Sequence, residues 1–134
     1  MKFGKSILSP SYTRPPAFKN IEAGEKFYSF ACINCNQTIS VEFDSLIQQG
    51  YSWQDAFGEK LADKIKEFYR IGVVGKSQDG GYPSMILVEC GNCKTDYLVY
   101  AGVEEVSNSV YVVTMQGITE ILEMPEIRQE VRGN

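Results

Sequence analysis

Cys32-Ile33-Asn34-Cys35 and Cys90-Gly91-Asn92-Cys93 contain all four cysteines of the chain. In each motif two residues separate the thiols, which lets successive backbone N–H groups point at the first sulfur while both sulfurs face one point. Two such knuckles brought together offer four sulfurs at the corners of a tetrahedron, the arrangement zinc takes in closed structural sites. The flanking residues say how the knuckles are carried. Lys26-Phe27-Tyr28-Ser29-Phe30-Ala31 is aromatic-rich and reads as a strand entering the first knuckle. Thr38-Ile39-Ser40-Val41-Glu42-Phe43 alternates with period two and reads as the returning strand, with Ile39, Val41 and Phe43 inward. Met85-Ile86-Leu87-Val88 reads as a buried strand into the second knuckle, and Thr95-Asp96-Tyr97-Leu98-Val99-Tyr100 as the strand leaving it.

Strand–CxxC–strand occurring twice resembles the zinc-ribbon and rubredoxin-like families, in which two knuckle-bearing hairpins share one metal. Cys32, Cys35, Cys90, Cys93 and Gly91 carry the resemblance. The families' usual proline after the first cysteine and glycine after the second are replaced by Ile33 and Asn36 in the first knuckle. Gly91 and Lys94 stand there in the second. Between the knuckles lie 54 residues, against about 15–20 in a compact site. The resemblance covers the hairpins and implies one metal-stapled unit.

The intervening residues supply a helix. Ser52 is placed to cap it, with Asp55 three positions on. Trp53, Phe57, Leu61, Ile65 and Phe68 recur at spacings of four, four, four and three, and Gly72 marks a stop. The stripe reads as core-facing, since the hairpins need something to pack on. The expected fold is therefore α+β: two strand–CxxC–strand hairpins in a small antiparallel sheet around a four-cysteine metal site, with one amphipathic helix inserted between them and packed on the sheet. Residues 21–124 form this domain. Residues 1–20, with Pro10, Pro15 and Pro16, read as an extended basic arm, and 125–134 as a tail or frayed helix opened by Pro125. Val110–Gln116 is the longest strand candidate, with a kink or bulge at Gly117.

Composition narrows the chemistry. At 134 residues and 43% hydrophobic, the chain is one domain with a modest core, so the metal adds to stability rather than supplying all of it. Histidine is absent, which removes His-ligated catalytic zinc and every Cys–His or Ser–His nucleophile pair. Four thiolates suit Zn(II), with a single iron as the other possibility. A site closed by four protein sulfurs has no position for an activated water, so the expected role is structural, a single Zn(II), and not catalytic.

Other motifs carry less. Gly75-Lys76-Ser77 fails as a phosphate loop, because Arg70 stands where its first glycine belongs and a strand, not a helix, follows. Cys90-Gly91-Asn92-Cys93-Lys94 has a superficial likeness to a thioredoxin site, but in that fold a helix follows the motif. A redox-sensing thiol pair stays open as an alternative. Glu104, Glu105 and Asp96 are the candidate acids of an enzyme reading, and the neighbouring glutamates would point to opposite sides of a strand.

The net charge of −4 disfavours general nucleic-acid binding. Yet residues 1–35 carry five Lys/Arg against two Glu, and residues 104–134 six Glu against two Arg. A nucleic-acid module would use Lys2, Lys5, Arg14, Lys19 and Lys26, with Tyr12, Phe18 and Tyr28 as stacking partners. Met1-Lys2-Phe3-Gly4-Lys5 leads into no apolar leader, no run approaches a bilayer span, and paired cysteines outside a secreted chain fit a reducing compartment. The expectation is a cytoplasmic protein without a membrane partner, acting as an interaction or regulatory adaptor for a protein partner or a second copy of itself.

Overall fold

The computed structural model describes residues 1–10, 17–19, 26–72, 77, 81–108 and 110–125. Among these residues the fold is mixed α/β, mostly strand, with three α-helices and two antiparallel sheets. The strands are β1 (Lys2–Leu8), β2 (Ala17–Lys19), β3 (Phe27–Ala31), β4 (Thr38–Glu42), β5 (Tyr82–Glu89), β6 (Asp96–Ser107) and β7 (Val110–Glu123). The helices are α1 (Phe43–Gln48), α2 (Trp53–Phe57) and α3 (Glu59–Tyr69), with a 3₁₀ turn at Gly50–Ser52 between α1 and α2.

Both expected hairpins are present, but they do not share a sheet. β3 pairs with β4 alone, while β5 and β6 belong to a larger sheet ordered β1-β7-β6-β5, with β2 also on β7. β7 is long enough to serve two short strands end to end: β2 takes Val112–Thr114 and β1 takes Ile118–Glu123. Within the Val110–Gln116 stretch, Val112–Thr114 is thus interior, paired with β6 on one side and β2 on the other. Gln116 is the extra residue of a bulge, since Tyr100 faces Gly117 and Ala101 faces Met115. The start of the expected arm is extended, but as strand β1 of the sheet. Its other residues, 11–16 and 20, lie outside the described residues, as do most of the Gly75–Gly80 loop and the expected last helix beyond Pro125.

The sheet is covered on both faces, which explains why β5 reads as an uninterrupted apolar run. Ile86, Val88, Tyr97, Val99, Ala101 and Val103 face the β3–β4 hairpin and α1 in one core cluster. Met85, Leu87, Leu98 and Tyr100 face α2 and α3 in the other, against Trp53, Phe57, Ile65 and Tyr69. The connection from α1 to α2 crosses from one face to the other around β5. Gly50 makes the passage possible, because a Cβ there would stand 2.6 Å from Ser84 Cβ. The Trp53 indole N–H then donates to the Pro83 carbonyl at 2.9 Å.

The single helix expected over this region is two. Gly58, with φ of 86°, breaks it between Phe57 and Glu59 and resets the phase. The buried face of α3 is accordingly Ala62, Ile65 and Tyr69. Phe68 stays 39% exposed, stacked on Phe3 of β1 with centroids 4.0 Å apart. Ser52 makes no side-chain cap, and α3 ends on Arg70 in the left-handed region rather than at Gly72.

Candidate metal centre

Each knuckle is built by the same two backbone bonds. In the first, Cys32 N–H donates to the Gln37 carbonyl (2.9 Å) and Asn36 N–H to the Cys32 carbonyl (2.8 Å). In the second, Cys90 N–H donates to the Thr95 carbonyl (2.8 Å) and Lys94 N–H to the Cys90 carbonyl (3.0 Å). Closing so tight a turn puts the residue after the second cysteine in the left-handed region: Asn36 and Lys94 both have φ of 65°. That is the position where the resembled families carry glycine. Asparagine tolerates this conformation, but for lysine it costs about 1 kcal/mol or more. Lys94→Gly is therefore expected to raise the melting temperature by roughly 2–4 °C, after the greater freedom of glycine in the unfolded chain is set against the relieved strain. The exposed Lys94–Glu89 contact at 3.9 Å adds little that the change would lose. Asn36→Gly in the same thermal melt should give the smaller gain.

The four sulfurs of Cys32, Cys35, Cys90 and Cys93 all lie within 4.8 Å of one another. Two contacts run between the knuckles, Cys32 to Cys93 at 3.6 Å and Cys35 to Cys90 at 3.5 Å. A regular tetrahedron around a zinc–sulfur bond of about 2.3 Å has an edge of about 3.8 Å, so the group is placed to bind a metal ion. The first cysteine of each pair is buried and belongs to the core cluster between hairpin and sheet. The second faces outward, Cys35 half-buried and Cys93 exposed. The site thus sits at the end of the hairpin-to-sheet core, with one side open to solvent.

The surroundings favour thiolate at the first knuckle. Burial pushes the Cys32 thiol up, but the Tyr97 hydroxyl, the backbone N–H groups of Asn34 and Cys35, and Cys93 outweigh it, bringing its pKa from 9.0 to about 6. Cys35 is lowered, chiefly by the Asn92 side chain and the Gln37 N–H. At Cys90 the Cys93 and Asn92 N–H groups pull the pKa down, but burial and the neighbouring sulfurs of Cys35 and Cys93 leave it raised. Without a cation between them, neighbouring thiolates repel, which works against ionising all four.

Several residues that complete the site carry no signal in the sequence. Tyr97, fully buried on β6, donates its hydroxyl to Cys32 Sγ at 3.1 Å and accepts the Ile33 N–H at 3.0 Å. Its ring meets Phe30 edge-on at 5.2 Å. Burial and the hydrogen bond to Cys32 both hold the Tyr97 hydroxyl in its neutral form. Thr95 and Asn34 stand at the open side, the Thr95 hydroxyl 3.0 Å from Cys93 Sγ and the Asn34 amide 2.9 Å from Thr95 Oγ1.

The other candidates are not gathered into a site. Glu104 and Glu105 are exposed on β6, opposite Val112 and Tyr111, whereas Asp96 lies at the far end of that strand, opposite Glu89 and Ile121. Eight residues of strand separate them, about 26 Å. Of the basic set, Lys2 and Lys5 lie on β1 against the C-terminal half of β7, and Lys19 pairs with Val112 near its other end. Lys26 precedes β3, and Tyr28 packs against the core. Tyr12 and Arg14 lie outside the described residues. No helix among the described residues is long and apolar enough to cross a membrane. No family model matches the chain, and neither a curated protein nor a solved structure is recognisably similar to it.

Proposed function

We propose that the chain is a non-catalytic domain in which one zinc ion, held by Cys32, Cys35, Cys90 and Cys93, fixes a hairpin against a sheet for recognition of a protein partner in the reducing cytoplasm. The observation that carries this reading is the convergence of four sulfurs from hairpins in two different sheets, two of them inside the core. Hydrogen bonds alone do not explain a cluster of four ionisable thiols. A cation of the right size does, and soft thiolates favour zinc or iron over hard cations.

The adaptor role rests on what the metal positions. The metal positions the β3–β4 hairpin, which lies over the large sheet as a two-stranded sheet of its own. The hairpin carries two of the exposed large apolar side chains, Phe27 (48%) and Ile33 (42%). A metal that holds this hairpin in place holds the surface in shape.

The first test is metal content and thiol count on freshly purified protein. One zinc per chain, with thiols unreactive until a chelator is added, is the expected result; iron would show itself by its visible absorption. No metal and two reactive thiols would reverse the reading in favour of a redox pair. For the adaptor role, a partner captured by the native chain should be lost on Phe27→Asp with Ile33→Asp, while zinc stays bound. Capture unaffected by the double change would move the interaction off the hairpin.

A further inference from the structure

Along the open side of the sulfur cluster runs a chain of hydrogen bonds. The Asn34 amide nitrogen donates one proton to Thr95 Oγ1 and the other to Glu120 Oε2, each at 2.9 Å. Thr95 Oγ1 lies 3.0 Å from Cys93 Sγ, and against a metal-bound thiolate, which has no proton to give, the threonine hydroxyl is the donor. The second carboxylate oxygen of Glu120 accepts the Lys5 backbone N–H of β1 at 3.4 Å. Gly4 makes room for it, since a Cβ at Gly4 would stand 2.5 Å from Glu120 Oε1. The chain thus starts at the most exposed sulfur, crosses both knuckles and β7, and ends on the backbone of the strand β1.

We infer that Asn34 and Glu120 are positioning residues that tie retention of the metal at Cys93 to the docking of β1. This rests on the metal reading above and adds to it a route of control. Cys93 is the ligand that solvent and competing ligands reach first. A hydroxyl donor aimed at its sulfur stabilises the thiolate and lowers its tendency to leave or to be displaced. When β1 lifts, Glu120 is freed into water, the Asn34 amide loses its anchor, and the Thr95 proton is no longer aimed. By linkage the effect runs both ways: whatever loosens β1 loosens the metal, and a bound metal holds β1 down. A partner that peels or caps the sheet edge at β1 would thereby set the lifetime of the metal.

Simple charge makes the opposite forecast, which gives the test its edge. Four thiolates around one divalent cation leave a net negative cluster, so deleting the Glu120 carboxylate should strengthen binding if its only influence is Coulombic. If Glu120 anchors the chain of hydrogen bonds, the deletion should weaken it.

The experiment uses the full-length zinc-loaded protein and follows zinc transfer to the chromophoric chelator 4-(2-pyridylazo)resorcinol. Glu120→Ala, Asn34→Ala and Gly4→Ala are each expected to retain one zinc per chain and to release it roughly tenfold faster than the native protein. Glu120→Gln, which keeps an acceptor, should recover part of the difference. Ile33→Ala, in the same knuckle but outside the chain of hydrogen bonds, should release at the native rate. In zinc-bound Asn34→Ala, amide exchange at Lys5 should also be roughly tenfold faster. Native release rates in folded Asn34→Ala and Glu120→Ala, or slower release in Glu120→Ala, would overturn the inference. A native protein with no zinc overturns the metal reading itself, an outcome read from the starting material before any variant is compared.

Discussion

Cys90→Ser and Cys32→Ser are each expected to abolish stoichiometric metal retention and to release the β3–β4 hairpin while the helix-covered face of the sheet stays folded. Both sulfurs are buried, 0% and 2% exposed, among Phe30, Ile39, Val41, Val88 and Tyr97. Serine at either position leaves three thiols facing a weak neutral donor inside an apolar core. Metal binding in small zinc domains is worth about 10–16 kcal/mol, as large as the entire stability of a typical domain at about 5–15 kcal/mol. A hairpin held by that interaction does not stay docked without it. The opposite face has its own cluster of Trp53, Phe57, Ile65, Tyr69, Leu87, Leu98 and Tyr100, which includes no cysteine. The unfolding should accordingly stop at the sheet. In hydrogen exchange the amides of β3 and β4 should lose protection, those of α3 and central β6 should keep it, and helical circular dichroism should change little. Cys93→Ser, at the exposed corner, should bind zinc more weakly but keep the hairpin docked at saturating metal. Chelation of the native protein should reproduce the Cys90→Ser exchange pattern. Retention of one tight zinc by Cys90→Ser, with unchanged melting, would falsify the staple.

The sulfur cluster is the part of this molecule that its sequence announces most clearly, because a CxxC turn is decided by four neighbouring residues. The same holds for β4, where Ile39 and Val41 alternate and are both buried. Features set across long distances are silent. The Asn34–Glu120 bond spans 86 positions and the Tyr97–Cys32 bond 65, and nothing local marks either side chain for its partner. β1 escapes notice for a similar reason: its register against β7 slips between Lys2 and Phe3, between Phe3 and Ser6, and between Ser6 and Leu8, which erases a period-two signal. Phe43 misleads because an inward residue at the end of a strand and at the start of a helix look alike in a pattern, and it is buried as the first residue of α1. The stripe from Trp53 to Phe68 follows helical spacing across Gly58, yet the positive φ there turns the chain, so Leu61 and Phe68 fall at the margin of the face that Ile65 buries. Two sheets rather than one result from packing: β3–β4 lies over the face of β5–β6 instead of beside it, and this stacking is what brings the knuckles mouth to mouth.

That layering makes a second large effect separable from the first. Trp53→Ala is expected to cost about 4–8 kcal/mol and lower the melting temperature by roughly 15–30 °C, while leaving one zinc bound at 25 °C. Trp53 is fully buried on the face opposite the knuckles. Its ring meets Phe57 edge-on at 6.3 Å, and its N–H is the partner given to the Pro83 carbonyl. Truncation leaves a cavity worth about 3–5 kcal/mol and a buried carbonyl unpaired, at about 1–3 kcal/mol. It also frees the segment that rounds β5, exposing the edge of that strand to pairing with other chains, so concentration-dependent aggregation on heating should accompany the loss. Trp53→Phe keeps much of the packing but no donor, and should fall about midway between native and alanine in urea titration. Since the residue and the metal lie in different clusters, the double variant Trp53→Ala with Cys93→Ser should show destabilisation close to the sum of the two. A strong coupling between them, or zinc lost from Trp53→Ala while it is still folded, would mean that the two faces of the sheet do not act as separate cores.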